Sequence, residues 1–220
     1  MIKFILLFVL TFITILFFDK LEVGLLNFGF SWTLSKATPY ILTIILGVLL
    51  SLNLFKKIKI NRVLKLLIVF ALLITPFIIN FVLHPIYEGD FSKNGKELPI
   101  NIYNETKLEN GLMVITIPNC PYCYLSINQL KKIKQRNTNI NIEYKVCSSD
   151  TSKIKTYQEE VKGKFKVQNA SNPDSLASVA DFKFPAFVLI KNGKPIYKWS
   201  NDEFGVRAID LLESSIENTK

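Results

Sequence analysis

Cysteine is scarce in this chain: three in 220 residues, Cys120, Cys123 and Cys147, beside a single histidine, His84. A structural zinc site takes about four Cys or His ligands. Beyond the Cys120/Cys123 pair, only Cys147 and His84 remain, and His84 closes a membrane-length apolar run. That shortage argues against a metal site. No cysteine lies in the first 83 residues, which excludes a thiol relay through that region; electrons for any redox chemistry must come from a separate partner. Acidic residues are nearly absent there too, with Asp19 and Glu22 alone. A signal-peptidase site is missing: Phe17-Phe18-Asp19-Lys20-Leu21 follows the first apolar stretch without a small-x-small pattern.

What the first 83 residues do contain is three long apolar stretches, Ile2 to Phe18, Ala37 to Phe55 and Leu66 to Leu83. Each is at the lower end of the length that crosses a bilayer as a helix. Three in succession predict three transmembrane helices over residues 1–83, the first uncleaved. Pro76 and Asn80 inside the third predict a kink and polar packing within a bundle. Between the second and third, residues 56–65 carry Lys56, Lys57, Lys59, Arg62 and Lys65. So basic a loop is expected to stay in the cytoplasm. Three spans then put everything after His84 on the far side, where disulfides persist. A composition rich in Lys, Asn and Ile suggests a bacterium and its inner membrane. The formal net charge of +9 owes much to that one loop; from His84 onward 19 basic face 16 acidic residues. The charge is therefore no sign of nucleic-acid binding.

Residues 84–110 read as linker and lead-in, with a short strand expected at Ile100 to Tyr103. Residues 111–220 form the soluble domain. Its chemistry centres on Cys120-Pro121-Tyr122-Cys123. The apolar run Leu112 to Ile117 predicts a strand buried on both faces. A helix is expected from Tyr122 to Arg136, capped by Asn119 with Pro121 in its first turn. A strand feeding a helix that opens with C-x-x-C is the layout of a thiol–disulfide redox site. Unpaired N–H groups and the positive end of the helix dipole stabilise a thiolate there. Cys120 is the expected exposed nucleophile. Cys123, four residues before Ile127, turns inward and is placed to resolve a mixed disulfide.

Further along, Ile140 to Val146 alternates apolar and polar residues, predicting a strand. A helix is expected at Thr151 to Lys162, a short strand at Phe165 to Val167, and a short helix at Asp174 to Phe182. Phe184-Pro185 then leads a strand to Lys191, Asn192-Gly193 signals a hairpin, and Ile196 to Trp199 returns. Glu203 to Glu217 closes as an amphipathic helix.

This order, with Cys120-Pro121-Tyr122-Cys123, Phe184-Pro185 and Lys191-Asn192-Gly193-Lys194, resembles the thioredoxin fold over residues 111–217. The whole chain is thus expected to be a three-layer α/β thioredoxin-like domain preceded by three transmembrane helices. The resemblance implies a cis peptide before Pro185, which faces the C-x-x-C, and backbone hydrogen bonds from Phe184 to an extended substrate. Pro121, Tyr122, Phe184 and Pro185 are the implied substrate-binding residues. The segment Ser148 to Phe182 is similar to the helical insertion of membrane-anchored TlpA-like thioredoxins, which face the periplasm and reduce particular partners. Two positions depart from the pattern. Val114 stands where thioredoxins carry a buried aspartate, and Ser126 where TlpA-like reductases often place a glutamate. Glu143 is the remaining candidate proton acceptor, by strand location alone. The Pro-Tyr spacer is that of glutaredoxins, but the Thr-Val that binds glutathione is missing. The Pro-x-x-x-Thr-x-x-Cys of peroxiredoxins is also missing, with Met113 and Ile117 at those positions.

The resulting expectation is an anchored, extracytoplasmic oxidoreductase that reduces protein disulfides without a cofactor. Its implied partners are protein thiols and disulfides, a separate electron donor or acceptor, and lipid. A disulfide-donating oxidase and a non-enzymatic docking module are the alternatives. Cys147 reads either as a small buried hydrophobe or as a third redox cysteine.

Overall fold

The computed structural model describes residues 2–57, 61–91, 95–98 and 106–217. The chain divides into two units, Met1–Ile86 and Tyr87–Lys220.

In the first unit, α1 (Ile2–Leu16) and α2 (Phe18–Asn27) meet at Phe17 with a bend of 72°. α1 is about 22 Å long at 1.5 Å per residue, short of a bilayer core of about 30 Å. The single span expected over Ile2 to Phe18 is therefore a bent pair. The break falls where the apolar run gives way to Asp19, Lys20 and Glu22. Thr11 and Thr14 donate back to Leu7 O and Leu10 O within the preceding turn, a bond that favours helix bending. α3 (Trp32–Lys57) and α4 (Arg62–Leu83) are each long and apolar enough to cross a membrane, so among the described residues the unit has two candidate spans, or three if the bent pair is one. α3 and α4 approach closely where Gly47 meets the Leu73 carbonyl, the small-residue packing of apolar bundles. The polar packing expected of Asn80 is present: it is buried, and its amide donates to Thr43 Oγ1 at 3.3 Å. Beyond α4, His84 stacks on Phe18 and its Nδ1 lies 3.2 Å from Asp19 Oδ1. The Tyr40 hydroxyl donates to the His84 carbonyl.

The second unit begins inside the segment read as linker. A short helix, α5 (Glu88–Phe91), and a two-residue strand, β1 (Lys96–Glu97), belong to it. The strand expected at Ile100 to Tyr103 lies outside the described residues. Then come β2 (Gly111–Thr116), α6 (Pro121–Arg136), β3 (Ile142–Val146), a 3-10 turn (Thr151–Lys153), α7 (Ile154–Val161), β4 (Lys166–Asn169), α8 (Pro173–Val179), β5 (Ala186–Lys191), β6 (Lys194–Trp199) and α9 (Val206–Glu217). Among the described residues the sheet order is β1-β6-β5-β2-β3-β4. β2, β3 and β4 are parallel; β5 runs against them, and β6 turns back antiparallel to β5 as the second arm of a hairpin. Its turn puts Asn192 (φ 51°) and Gly193 (φ 70°) in the left-handed region, as the Asn-Gly signal requires.

Side chains alternate between the sheet's two faces. Met113 and Ile115 pack with Ala186 and Val188 under Leu176 and Val179 of α8. Val114 pairs in register with Tyr144 on the opposite face. That face meets α6, whose buried side is Cys123, Ser126, Ile127, Leu130 and Ile133. Tyr124 of α6 stacks on Tyr157 of α7 there. β3 is buried along its whole length, although its alternation reads as a half-exposed strand. The polar members of that alternation compensate each other, with Lys145 Nζ 3.2 Å from Glu143 Oε1.

Candidate active site

β2 delivers the chain to the N-terminus of α6, and the turn between them sets the site. Asn119 takes a left-handed conformation, φ 57°, which asparagine tolerates better than most residues. It is not the helix cap. Cys120 is: its φ and ψ are −91° and 109°, and its Sγ accepts from the Cys123 N–H at 3.2 Å. The cap position thus places the sulfur itself against the orphan N–H groups of the first turn. That turn holds no acidic residue, while Lys134 and Arg136 occupy the last turn. Both facts preserve the positive end of the dipole at Cys120.

Cys120 and Cys123 are joined as a disulfide, with Cα atoms 5.2 Å apart. Cys120 is 7% exposed and Cys123 fully buried. Cys120 is less open than expected, but the asymmetry survives: an incoming sulfur can reach only Cys120. Pro121 and Tyr122 are exposed beside it. Leu125, one turn on, is exposed as well.

The Phe184–Pro185 peptide is cis, as the resemblance implied. Register places it. Ile115 of β2 pairs with Ala186 of β5, and the strands are antiparallel, so the residues preceding β5 lie at the same end of the sheet as the turn following β2. Phe184 is half-buried against the Met113 and Ile115 face. Cys147 also sits at this end, its N–H donating to Thr116 O at 2.7 Å, and packs half-buried against the same apolar cluster.

Glu143 is not placed to serve Cys123. It shares the face of Met113, its register partner, whereas α6 covers the face of Tyr144. It is buried; its Oε2 accepts from Thr106 Oγ1 at 2.6 Å and its Oε1 faces Lys145 and Lys166. What lies beneath Cys123 is a set of hydroxyls. Ser126 Oγ donates to the Cys123 carbonyl at 2.8 Å and lies 3.1 Å from the Tyr144 hydroxyl. The Tyr157 hydroxyl donates to Ile117 O at 2.7 Å, bracing the turn that leads to Cys120. Burial pushes the Tyr144 phenol well above its ordinary value, partly opposed by its bond with Ser126. Burial likewise raises Tyr157. Both therefore stay protonated across the physiological range. The sequence signal for this set was the three-residue spacing of Cys123 and Ser126 and the position of Tyr144 in the β3 alternation.

Solved structures similar to this chain are thioredoxin-like proteins. A secreted Mycobacterium tuberculosis disulfide oxidoreductase homologous to E. coli DsbE is 15% identical, over 50% of this chain and 81% of that one, with a TM-score of 0.37. A SCO1/SenC family lipoprotein from Bacillus anthracis is 12% identical over 48% of this chain and 83% of its own, TM-score 0.35. A thioredoxin-like protein from Bacteroides caccae is 10% identical over 82% and 81%, TM-score 0.36. No protein-family model and no curated protein matches the chain. The second unit has a thioredoxin-like fold, read from its own sheet order, its capping cysteine and its cis proline, and it follows a unit of apolar helices compatible with membrane anchoring.

Proposed function

We propose that this chain is a membrane-anchored thiol–disulfide oxidoreductase whose second unit lies outside the cytoplasm and reduces protein disulfides. The observation that carries the reading is Cys120 as the cap of α6, paired with a fully buried Cys123. In the reduced state the Cys120 thiolate attacks a client disulfide. A Cys120–client bond forms, the client bond breaks, and the first client sulfur leaves as a thiolate. The Cys123 thiolate then attacks Cys120 Sγ, and the second client sulfur leaves. The pair gives up two electrons to the client; the Cys123 proton goes to the first client sulfur, and the second takes from water the proton that Cys120 released on ionising. Pro121, Tyr122, Phe184 and Pro185 frame the client segment at this end of the sheet. The α7, β4 and α8 stretch between β3 and β5 supports the TlpA-like form of the reading.

The basic loop between α3 and α4 supports the location. With that loop held in the cytoplasm, the chain leaving α4 emerges on the far side whether or not α1 and α2 form a span. The same two cysteines would serve a disulfide donor, and the reduction potential separates the two directions. The test is trapping: Cys123→Ser should accumulate a mixed disulfide with clients, and Cys120→Ser should form none. Equal client reduction by wild type and Cys120→Ser overturns the reading.

A further inference from the structure

A resolving cysteine must lose a proton before it attacks, and Cys123 is fully buried. Water does not solvate its thiolate, so the protein has to. A buried carboxylate is one solution, but among the described residues the buried carboxylates are Asp90, Glu143 and Glu213. Asp90 bonds the N–H groups of Tyr87 and Val206 at the start of α9. Glu143 lies on the opposite face of the sheet. Glu213 pairs with Arg136 at the far end of α6, about 20 Å along the helix from Cys123 at 1.5 Å per residue.

Ser126, one helical turn on and itself buried, has its hydroxyl on the Cys123 carbonyl at 2.8 Å. A serine hydroxyl has one proton. With that proton on the Cys123 carbonyl, the bond between Ser126 and Tyr144 has Tyr144 as donor. The chain of hydroxyls therefore runs in one direction, from Tyr144 to Ser126 to residue 123. The titratable groups in contact with it are tyrosines: Tyr144 itself from β3 and Tyr157 from α7, with Tyr124 of α6 stacked on Tyr157. Phe165 also stacks on Tyr144.

We propose that Tyr144 and Ser126 are positioning residues for Cys123, a directed hydroxyl pair that stabilises its buried thiolate where a carboxylate is missing. This rests on the oxidoreductase reading. When the disulfide is open, the Ser126 hydroxyl rotates from the Cys123 carbonyl to the Cys123 sulfur, and Tyr144 continues to donate to Ser126. The Cys123 proton passes to the first client thiolate expelled by Cys120. Tyr144 and Ser126 keep their own protons throughout; they lower the cost of the anion and accept nothing.

The experiment uses the full chain in detergent. In a Cys120→Ser, Cys147→Ala background, the midpoint of Cys123 thiolate formation is read with and without Tyr144→Phe and Ser126→Ala. A hydrogen bond to a charged group implies that each raises the midpoint by about one pH unit. Ser126→Thr, which keeps the hydroxyl, restores it. Phe165→Leu, which disturbs the packing of the Tyr144 ring but not its hydroxyl, leaves it in place. In the chain with all three cysteines, resolution of the mixed disulfide slows by up to about tenfold near neutral pH, following the thiolate fraction. Unchanged midpoints in Tyr144→Phe and Ser126→Ala overturn the proposal while the oxidoreductase reading stands, provided the parent pair still cycles. A parent pair that does not cycle between disulfide and dithiol overturns both.

Discussion

Cys120 and Cys123 sit within one helical turn, yet burial gives them different tasks. Cys120 at the cap keeps 7% of its surface exposed, while Cys123 is fully buried; in the proposed reaction only Cys120 meets a client. The expected outcome of Cys120→Ser is loss of client reduction, seen as the absence of mixed disulfides on non-reducing gels. A second residue-scale prediction concerns Glu143. Removing it strands the buried Lys145 ammonium, so Glu143→Ala should lower stability by about 3 kcal/mol or more, read by denaturant titration. The reduction potential of Cys120–Cys123 should not move, because Glu143 faces away from α6; a shifted potential would restore it as a partner of Cys123. The two cysteines were legible from spacing alone. Tyr144 was legible only as a member of the β3 alternation, since a strand tyrosine carries no mark of which helix will cover it. Asn119 was misread as the cap because its composition suits a cap and an αL turn equally well.

Among the elements, α5 shows how the lead-in joins the second unit. Gly89 and Gly205 meet backbone to backbone; a Cβ built on Gly89 would lie 2.2 Å from Glu203 O, and one on Gly205 would lie 2.2 Å from the Gly89 carbonyl carbon. Asp90 then bonds the Val206 N–H. Gly89→Ala should therefore separate α5 from α9, at a cost of about 2 kcal/mol. Hydrogen exchange should quicken at the amides of α5 and the first turn of α9 and stay unchanged in β2 and β5. Uniform exchange across the unit would contradict that account. None of this was visible in sequence, because two glycines more than a hundred residues apart leave no periodic trace. Another element-scale contact ties β6 to the end of α8. Lys198 Nζ donates to Val179 O at 2.8 Å and to Asp181 Oδ2 at 2.7 Å. The bond from Lys198, with the charges of Lys198, Lys96 and Lys183 adding to it, holds the Asp181 carboxyl below its ordinary range. A depressed carboxyl contributes stability above its unfolded value of about 3.9 and loses it as pH falls through the lower folded value. Asp181→Asn should flatten that part of the stability–pH curve, and an unchanged curve would mean that the pair contributes nothing. The strand, helix and hairpin order of this unit was legible because each element carries its own period and turn chemistry. The full burial of β3 was not, because two of its polar residues satisfy each other.

At the scale of the whole molecule, hydropathy located the apolar helices but not their shape. The break at Phe17 turned one expected span into a bent pair. The proposed orientation is independent of that change, since it rests on the loop between α3 and α4 and not on the number of spans. Cysteine-accessibility labelling on intact cells, with a cysteine introduced at exposed Asp202, should report the second unit outside the cytoplasm; labelling only after permeabilisation would reverse the assignment. The central claim is that Cys120 and Cys123 form a reversible two-electron couple that delivers reducing equivalents. Its most direct test is the reduction potential of this pair in the full chain, equilibrated against a graded thiol/disulfide buffer. The account predicts one reversible transition near that of thioredoxin, about −270 mV. A value near about −120 mV would make the protein a disulfide donor, and no reversible transition would contradict the redox assignment altogether.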